Sequence, residues 1–367
     1  MARGELTDDE RRARLTSWFA SQLPDAHEVR LEGLDRVPMG HSAETLTLAV
    51  VSRDDTGEQW RDVVVRVRPP VPGLLEPYDL RKQFDVLQRL ESTPVRAPRA
   101  LWYEGTGDVL GREFYVMERV DGTVYERSLP EALASAPDRL RCMSRSLIEQ
   151  IAAIHTVDLR STGLDQLAAL GDGHDFVTRE LDFWSAEVTR VQRGPLPALE
   201  RLVAELRDRQ PAPSNVVTLV HGDAKPGNFA FVDDEVSAVF DWEMVGLGDP
   251  LTDIGWAELN WSTPNAFTNL PGSLTRDEFV ARYEELTGIE VVERPWYRAF
   301  QTYKMVVIML VAAMLFDAGD SDDLRFAQMG MAVHHYTRAA LAELGIHDEL
   351  ESGPVTAREE RLRAVGA

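Results

Sequence analysis

One cysteine, Cys142, occurs in 367 residues, which excludes an intramolecular disulfide and any thiolate metal cluster. So few thiols accord with a reducing compartment, and a cytoplasmic location is the expectation. Basic residues are also short: 39 Lys and Arg stand against 61 Asp and Glu, a formal net charge of −22. Nucleic-acid binding needs surplus cations to displace counterions from phosphates, so a nucleic-acid partner is not expected. An acidic surface favours solubility and is compatible with a cationic small substrate. Long apolar runs are missing too. The longest, "MVVIMLVAAMLF" at 305–316, has 12 residues. That falls short of the ~20 a membrane helix needs, so it reads as a buried core helix and no membrane partner is expected. The first twenty residues, "MARGELTDDERRARLTSWFA", are charged rather than apolar, unlike a secretory leader.

What is present is a globular composition, 44% hydrophobic and 27% charged, in a length that suits two domains or one two-lobed unit. Thr7-Asp8-Asp9-Glu10 has the pattern of a capping box and predicts a helix over 7–23, with Leu15, Trp18, Phe19 and Leu23 on one side. Strand-like stretches follow at 27–37, 43–52 and 60–68, a helix at 77–92, and two strands in "VRAPRALWYEG" and "EFYVMERV". From about residue 130 the pattern is mostly helical, with candidates at 137–156, 175–192, 196–209, 250–260, 275–286, 294–317 and 323–345. The short strands "VVTLV", "NFAFV" and "VSAVF" interrupt it at 216–241. The expected organisation is a sheet-rich part over 1–118, a helix-rich part over 119–348 and a polar tail over 349–367. The fold class is α+β.

The chemistry-bearing segment is "LVHGDAKPGNFAFV", 219–232. Within it, Asp223 and Asn228 have the Asp-x-x-x-x-Asn spacing of a phosphoryl-transfer loop, with His221 two residues before the Asp. Pro226 and Gly227 make a helix there unfavourable. Phosphoryl transfer passes through a loose transition state, so the residues needed are ones that position groups and neutralise charge. Asp223 suits the attacking hydroxyl, Lys225 the transferring phosphoryl group, and Asn228 a Mg²⁺ ion. A second carboxylate, Asp241, ends the strand "VSAVF" 18 residues later. Taken alone, Asp-x-x-x-x-Asn equally describes a β-hairpin with a polar turn. With His221, Asp241 and Gly248-Asp249-Pro250 in register, the chemical reading takes over.

The run "HGDAKPGN…FDWEMVGLGDPLTD" resembles the aminoglycoside phosphotransferase and choline kinase-like family of small-molecule kinases, and the resemblance extends over about 25–340. "DWEMVGLGDPLTD" and "FQTYKMVVIML" are most similar to the branch associated with acyl-CoA dehydrogenases. The resemblance implies a two-lobed protein-kinase-like fold, ATP (or GTP) and Mg²⁺ as cofactors, and a small-molecule hydroxyl as acceptor. It implies Asp223 as the catalytic Asp, supported by His221 and Lys225, with Asn228 and Asp241 as metal ligands and Asp253 bracing the loops. It also places Gly40 and Ser42 of "VPMGHSAETLTL" near the phosphates and makes Arg66 of "VVVRVRPP" the phosphate-binding base. Glu118, Arg119 and Val120 of "GREFYVMERVDG" would offer backbone groups to the base of the nucleotide.

Two departures stand out. Where many kinases pair a strand Lys with a helix Glu, this chain has Arg66 and Gln83. That leaves open the choice between ATP and GTP, and admits a nucleotide-binding pseudokinase as an alternative. A protein kinase fits poorly: Trp242-Glu243 follows Asp241, and Gly-Asp-Pro arrives with no room for an activation segment. A metallophosphoesterase fits worse, because Phe229 rather than His follows Asn228. Among acceptors, aminoglycosides and hydroxyacyl-CoA esters both remain open. Glu180, Asp182, Glu187 and Glu258 are candidates for holding a cationic acceptor, with solvated helix faces as the other explanation.

Overall fold

The structure is a computed structural model that describes residues 6–36, 44–126, 129–263, 266–347 and 354–356. Gly40, Ser42 and most of the expected 349–367 tail lie outside these. The chain divides into two compact units, Met1–Asp121 and Gly122–Ala367.

The first unit opens with helix α1 (Asp8–Gln22), whose N-terminus is closed by the reciprocal Thr7–Glu10 capping box. Strands β1 (Glu28–Arg36), β2 (Glu44–Asp54) and β3 (Gly57–Val67) follow, then α2 (Leu80–Leu90), β4 (Ala100–Glu104) and β5 (Phe114–Glu118). The strands form one antiparallel sheet in the order β1-β2-β3-β5-β4. Strict alternation sends Leu46, Leu48 and Val50 of β2, and Val63, Val65 and Val67 of β3, to one face, where they meet Leu15 and Phe19 of α1. At about 25 cal/mol per Å² of apolar surface removed from water, burying this shared face stabilises the unit.

The second unit begins with β6 (Thr123–Val124), α3 (Glu131–Ala134), α4 (Pro137–His155) and α5 (Leu159–Thr162). Helices α6 (Phe176–Val191) and α7 (Pro197–Asp208) precede strands β7 (Thr218–Val220), β8 (Phe229–Val232), β9 (Glu235–Val239) and β10 (Gly246–Gly248). Helices α8 (Leu251–Glu258), α9 (Arg276–Thr287), α10 (Arg294–Ala318) and α11 (Leu324–Glu343) complete it. Strands β6, β8 and β9 form one small sheet, and β7 pairs with β10 in another. The ends of β7, β8, β9 and β10 are what carry the 221–249 loops.

Strand β10 is not among the expected elements, because Gly-Leu-Gly reads as a turn. Its glycine is nonetheless required: a Cβ on Gly248 would sit 2.4 Å from the Phe176 ring. The apolar run at 305–316 is as expected: the helix read over 294–317 is α10 (Arg294–Ala318), and the run is largely buried in it. This 25-residue helix is long and apolar enough to span a bilayer by length and composition, with 72% of its apolar window buried inside the fold. Gln301, Tyr303 and Lys304 precede the run in the same helix, and these polar residues are buried as well.

Candidate active site

The loop after β7 is built by long-range hydrogen bonds. Gly222 takes φ +83°, and a Cβ there would stand 2.5 Å from the Met244 carbonyl oxygen, so only glycine fits. The N–H groups of His221 and Gly222 donate to the two oxygens of Asp253, at 2.6 and 2.8 Å. Asp253, on α8, also accepts from Nε2 of His155 on α4 at 3.1 Å, and Nδ1 of that ring lies 2.7 Å from the Tyr283 hydroxyl on α9. Burial alone would push the Asp253 pKa up; the His155 hydrogen bond and charge, with His221, outweigh it and hold the carboxyl below its ordinary value.

His221 is buried between the rings of Phe229 and Trp242. Its Nδ1 accepts from the Asp223 N–H at 3.2 Å, and its Nε2 donates to the Phe240 carbonyl at 2.8 Å. This pairing selects the neutral ring with the proton on Nε2. Both nitrogens are committed to backbone, so the ring ties two loops together and has no proton to exchange with a substrate.

Asp223 is only 7% exposed. Its Oδ2 accepts from the Asn228 side-chain nitrogen at 2.8 Å and lies 3.1 Å from the Lys225 ammonium. Its Oδ1 is buried and has no hydrogen-bond partner among the described residues. The same Asn228 nitrogen donates to the Asp223 carbonyl at 2.8 Å, and the Lys225 N–H reaches that carbonyl too. The amide nitrogen of Asn228 is thereby used up, and its side-chain oxygen is the atom left to serve a cation. The carboxylate of Asp223 is the main reason that the Lys225 pKa stands above its ordinary value, with Asp241 adding to it, so Lys225 stays charged.

Asp241 sits in the left-handed region at φ 65°, at the turn after β9. The preceding Phe240 N–H donates to the Asn228 backbone carbonyl at 2.8 Å, which brings the Asp241 turn beside Asn228. Asp223, Lys225, Asn228 and Asp241 are therefore assembled in one place within the second unit, with His221 and Asp253 beneath them. Among the described residues, no group of three or more His, Cys, Asp or Glu could hold a metal. The donor set here is instead one amide oxygen and one carboxylate. Such hard oxygen donors suit Mg²⁺, which usually takes its other ligands from phosphates and water.

The remaining candidates lie in the first unit. Arg66 on β3 stands opposite Thr45 and Tyr115 in register and donates to the Thr45 hydroxyl at 3.3 Å. Gln83 on α2 is buried and accepts from the Tyr115 hydroxyl at 3.3 Å, so Tyr115 links the two positions. Glu118 closes β5. Its N–H donates to the Arg99 carbonyl and that of Arg119 to the Asp62 carbonyl, at 2.9 and 3.1 Å. Those two amide donors are thus occupied within the unit; Val120 follows them.

The acidic candidates for a cationic acceptor are paired. Asp182 meets Arg207 at 2.7 Å and Glu187 meets Arg190 at 2.6 Å. Glu258 is fully buried, not on a solvated face, and Arg294 binds it at 2.6 Å, with Arg298 at 3.5 Å and Arg276 at 3.9 Å. Glu180 accepts from the Trp184 indole at 3.1 Å. One neighbour of the loop escaped the sequence reading altogether: Lys304 of α10, whose ammonium donates to the Gly222 carbonyl at 2.7 Å. The only local signal was a lysine placed directly before an apolar run.

The model of the phosphotransferase enzyme family matches residues 43–300, more than two thirds of the chain. The chain belongs to this family. Acyl-CoA dehydrogenase family member 10 of Mus musculus is 28% identical over 263 residues, covering 68% of this chain and 24% of that protein. The chain spans about a quarter to a third of the length of the curated relatives it matches. Among solved structures, a candidate aminoglycoside phosphotransferase of Ralstonia eutropha JMP134 superposes with a TM-score of 0.73 at 22% identity, covering 91% of this chain and 98% of that one. The GDP complex of aminoglycoside 2'-phosphotransferase-IIIa gives a TM-score of 0.58 at 15% identity, covering 89% and 99%. The fold of this chain is thus the α+β, kinase-like fold of those structures, sheet-rich in its N-terminal part and helical in its C-terminal part.

Proposed function

We propose that this phosphotransferase is a small-molecule kinase that moves the γ-phosphoryl group of ATP, or of GTP, to a substrate hydroxyl held by Asp223. The observation that carries the reading is the unbonded Oδ1 of Asp223, a buried acceptor beside Lys225 and the Asn228 amide. Buried polar atoms are nearly always hydrogen-bonded, so an orphan here marks the place of an incoming donor. A hydroxyl donating to Oδ1 would be oriented for attack. A carboxylate is a far weaker base than an alkoxide, so the proton moves to it late, as a loose transition state allows. Lys225, kept charged, would neutralise the phosphoryl oxygens. The Asn228 side-chain oxygen and Asp241 would hold Mg²⁺, which would supply positive charge against that of the phosphates. His221 and Asp253 position the loop. Arg66, Gln83 and Val120, with Glu118 and Arg119 through groups other than their occupied N–H, are the proposed nucleotide contacts of the first unit.

A hydroxylated metabolite such as a hydroxyacyl-CoA ester is the favoured acceptor over an aminoglycoside. An aminoglycoside is a polycation and calls for free carboxylates, whereas Asp182, Glu187 and Glu258 are already occupied by arginines. The similarity to acyl-CoA dehydrogenase family members points the same way. The test is nucleotide consumption with ATP and GTP across aminoglycosides, amino alcohols and hydroxyacyl-CoA esters, alongside calorimetric nucleotide binding. Turnover with the CoA esters alone is expected. Turnover with aminoglycosides would overturn the acceptor class, and nucleotide binding with no turnover on any acceptor would leave a pseudokinase.

A further inference from the structure

Lys304 is 4% exposed, in the middle of α10. Besides the Gly222 carbonyl at 2.7 Å, its ammonium faces the indoles of Trp184 on α6 and Trp256 on α8, with ring centroids at 5.7 and 5.3 Å. None of these partners is a carboxylate. Burying a cation without a counter-charge is costly, and two indole faces offset part of that cost. Only one of the three is a hydrogen-bond acceptor, and it is the peptide oxygen that leads into Asp223. A charged donor makes that bond roughly twice as strong as a neutral one.

The other side of Gly222 is held as well, since its N–H donates to Asp253 Oδ1 at 2.8 Å. Gly222 is thus gripped at its N–H from α8 and at its C=O from α10, while it holds a left-handed φ of +83°. The next residue is Asp223, whose own carbonyl is pinned by Asn228 at 2.8 Å. We propose that Lys304 is a positioning residue for Asp223: its ammonium, stabilised between Trp184 and Trp256, fixes the Gly222–Asp223 peptide and with it the direction of the carboxylate. The inference rests on the kinase reading above for its kinetic consequence, and on the loop geometry alone for its structural one.

The experiment substitutes Lys304→Met, close in size but without a donor, in the full chain. It reads kcat, KM for nucleotide and amide hydrogen exchange in the 219–228 segment. Displacing a reacting group by ~1 Å can cost ~100-fold, so kcat should fall by about that factor while KM for nucleotide stays within about twofold. Exchange should speed up in 219–228 and remain as in the parent elsewhere in α8, α10 and α11. Parental kcat and parental loop exchange in a folded variant would overturn the proposal. So would an exchange increase spread evenly over the second unit, which marks a merely structural lysine. If Lys304→Met does not fold, Trp256→Leu, which removes one indole face and keeps the lysine, should lower kcat about fivefold with KM for nucleotide unchanged; no change in kcat would overturn the role. If the parent protein turns over no acceptor, the kinase reading fails by itself, and faster or unchanged loop exchange in Lys304→Met still decides for or against the tether.

Discussion

Two acidic turns of the second unit are both buried and differ in one respect. In the Gly-Asp-Pro turn and at Asp253 of the helix it opens, both oxygens of each aspartate are bonded. Asp249 accepts from the Leu251 N–H at 2.9 Å and the Tyr297 hydroxyl at 2.6 Å, and Asp253 accepts from His221, Gly222 and His155. In the loop after β7, Asp223 leaves Oδ1 without a partner. A satisfied carboxylate braces the fold. An unsatisfied one has been held back from bracing, and the fold tolerates its cost because neighbouring groups fix it in place. Under the proposed function, the contrast separates Asp223, which would meet the acceptor hydroxyl, from Asp249 and Asp253, which hold the loops.

The sharpest way to break this comparison is Asp223→Asn. Turnover should drop by at least about 1,000-fold, the upper part of the range for a lost general base, while calorimetry still shows nucleotide binding. Activity near the parent level would remove Asp223 from the reaction.

Asp253→Asn should act on stability first. An amide offers one oxygen where three N–H groups need acceptance, so the unfolding free energy should fall by about 3–5 kcal/mol, read from urea titrations. Because the folded pKa of Asp253 is held below its unfolded value of about 3.9, its contribution is present above that value. It is lost as pH falls through the lowered folded pKa. The parent and Asp253→Asn should therefore converge in stability as acid is added from about pH 4 downward, and a constant gap would count against the assignment.

Asp249→Asn gives the smallest effect and the opposite sign. Burial raises the Asp249 pKa, so its ionised form is disfavoured in the folded state. Its contribution is full below the unfolded pKa and is lost as pH rises through the raised one. An amide can still accept from Leu251 and donate to the Tyr297 hydroxyl, so stability at pH 7 should change by no more than about 1 kcal/mol. A loss as large as that of Asp253→Asn would erase the distinction between the two.

Much of the fold was legible in the residues. The Thr7–Glu10 cap, the alternation in β2 and β3 and the helical spacing of α2, α4 and α6–α11 announce themselves locally, because each depends on neighbours a few positions away. The strands β6 and β10 were not legible: two residues are too short for a periodicity, and Gly-Leu-Gly carries none. In the candidate site, Asp223, Lys225, Asn228 and Asp241 were legible as a set, because they fall in two short loops with a known spacing.

The sequence by itself determined the chemical inventory of this protein: the Asp-x-x-x-x-Asn loop with its lysine and glycines, the second carboxylate at Asp241, and a surplus of acidic over basic residues. Tertiary structure alone decided what each group is free to do. It put Lys304 onto a carbonyl 82 residues earlier and closed three arginines around Glu258. It spent both nitrogens of His221 on backbone and left one oxygen of Asp223 unspent. The reason is physical. A side chain's identity states how many hydrogen bonds it can make, but partners far apart in the chain meet only after packing has set the distances, and those meetings decide which capacity remains for a substrate.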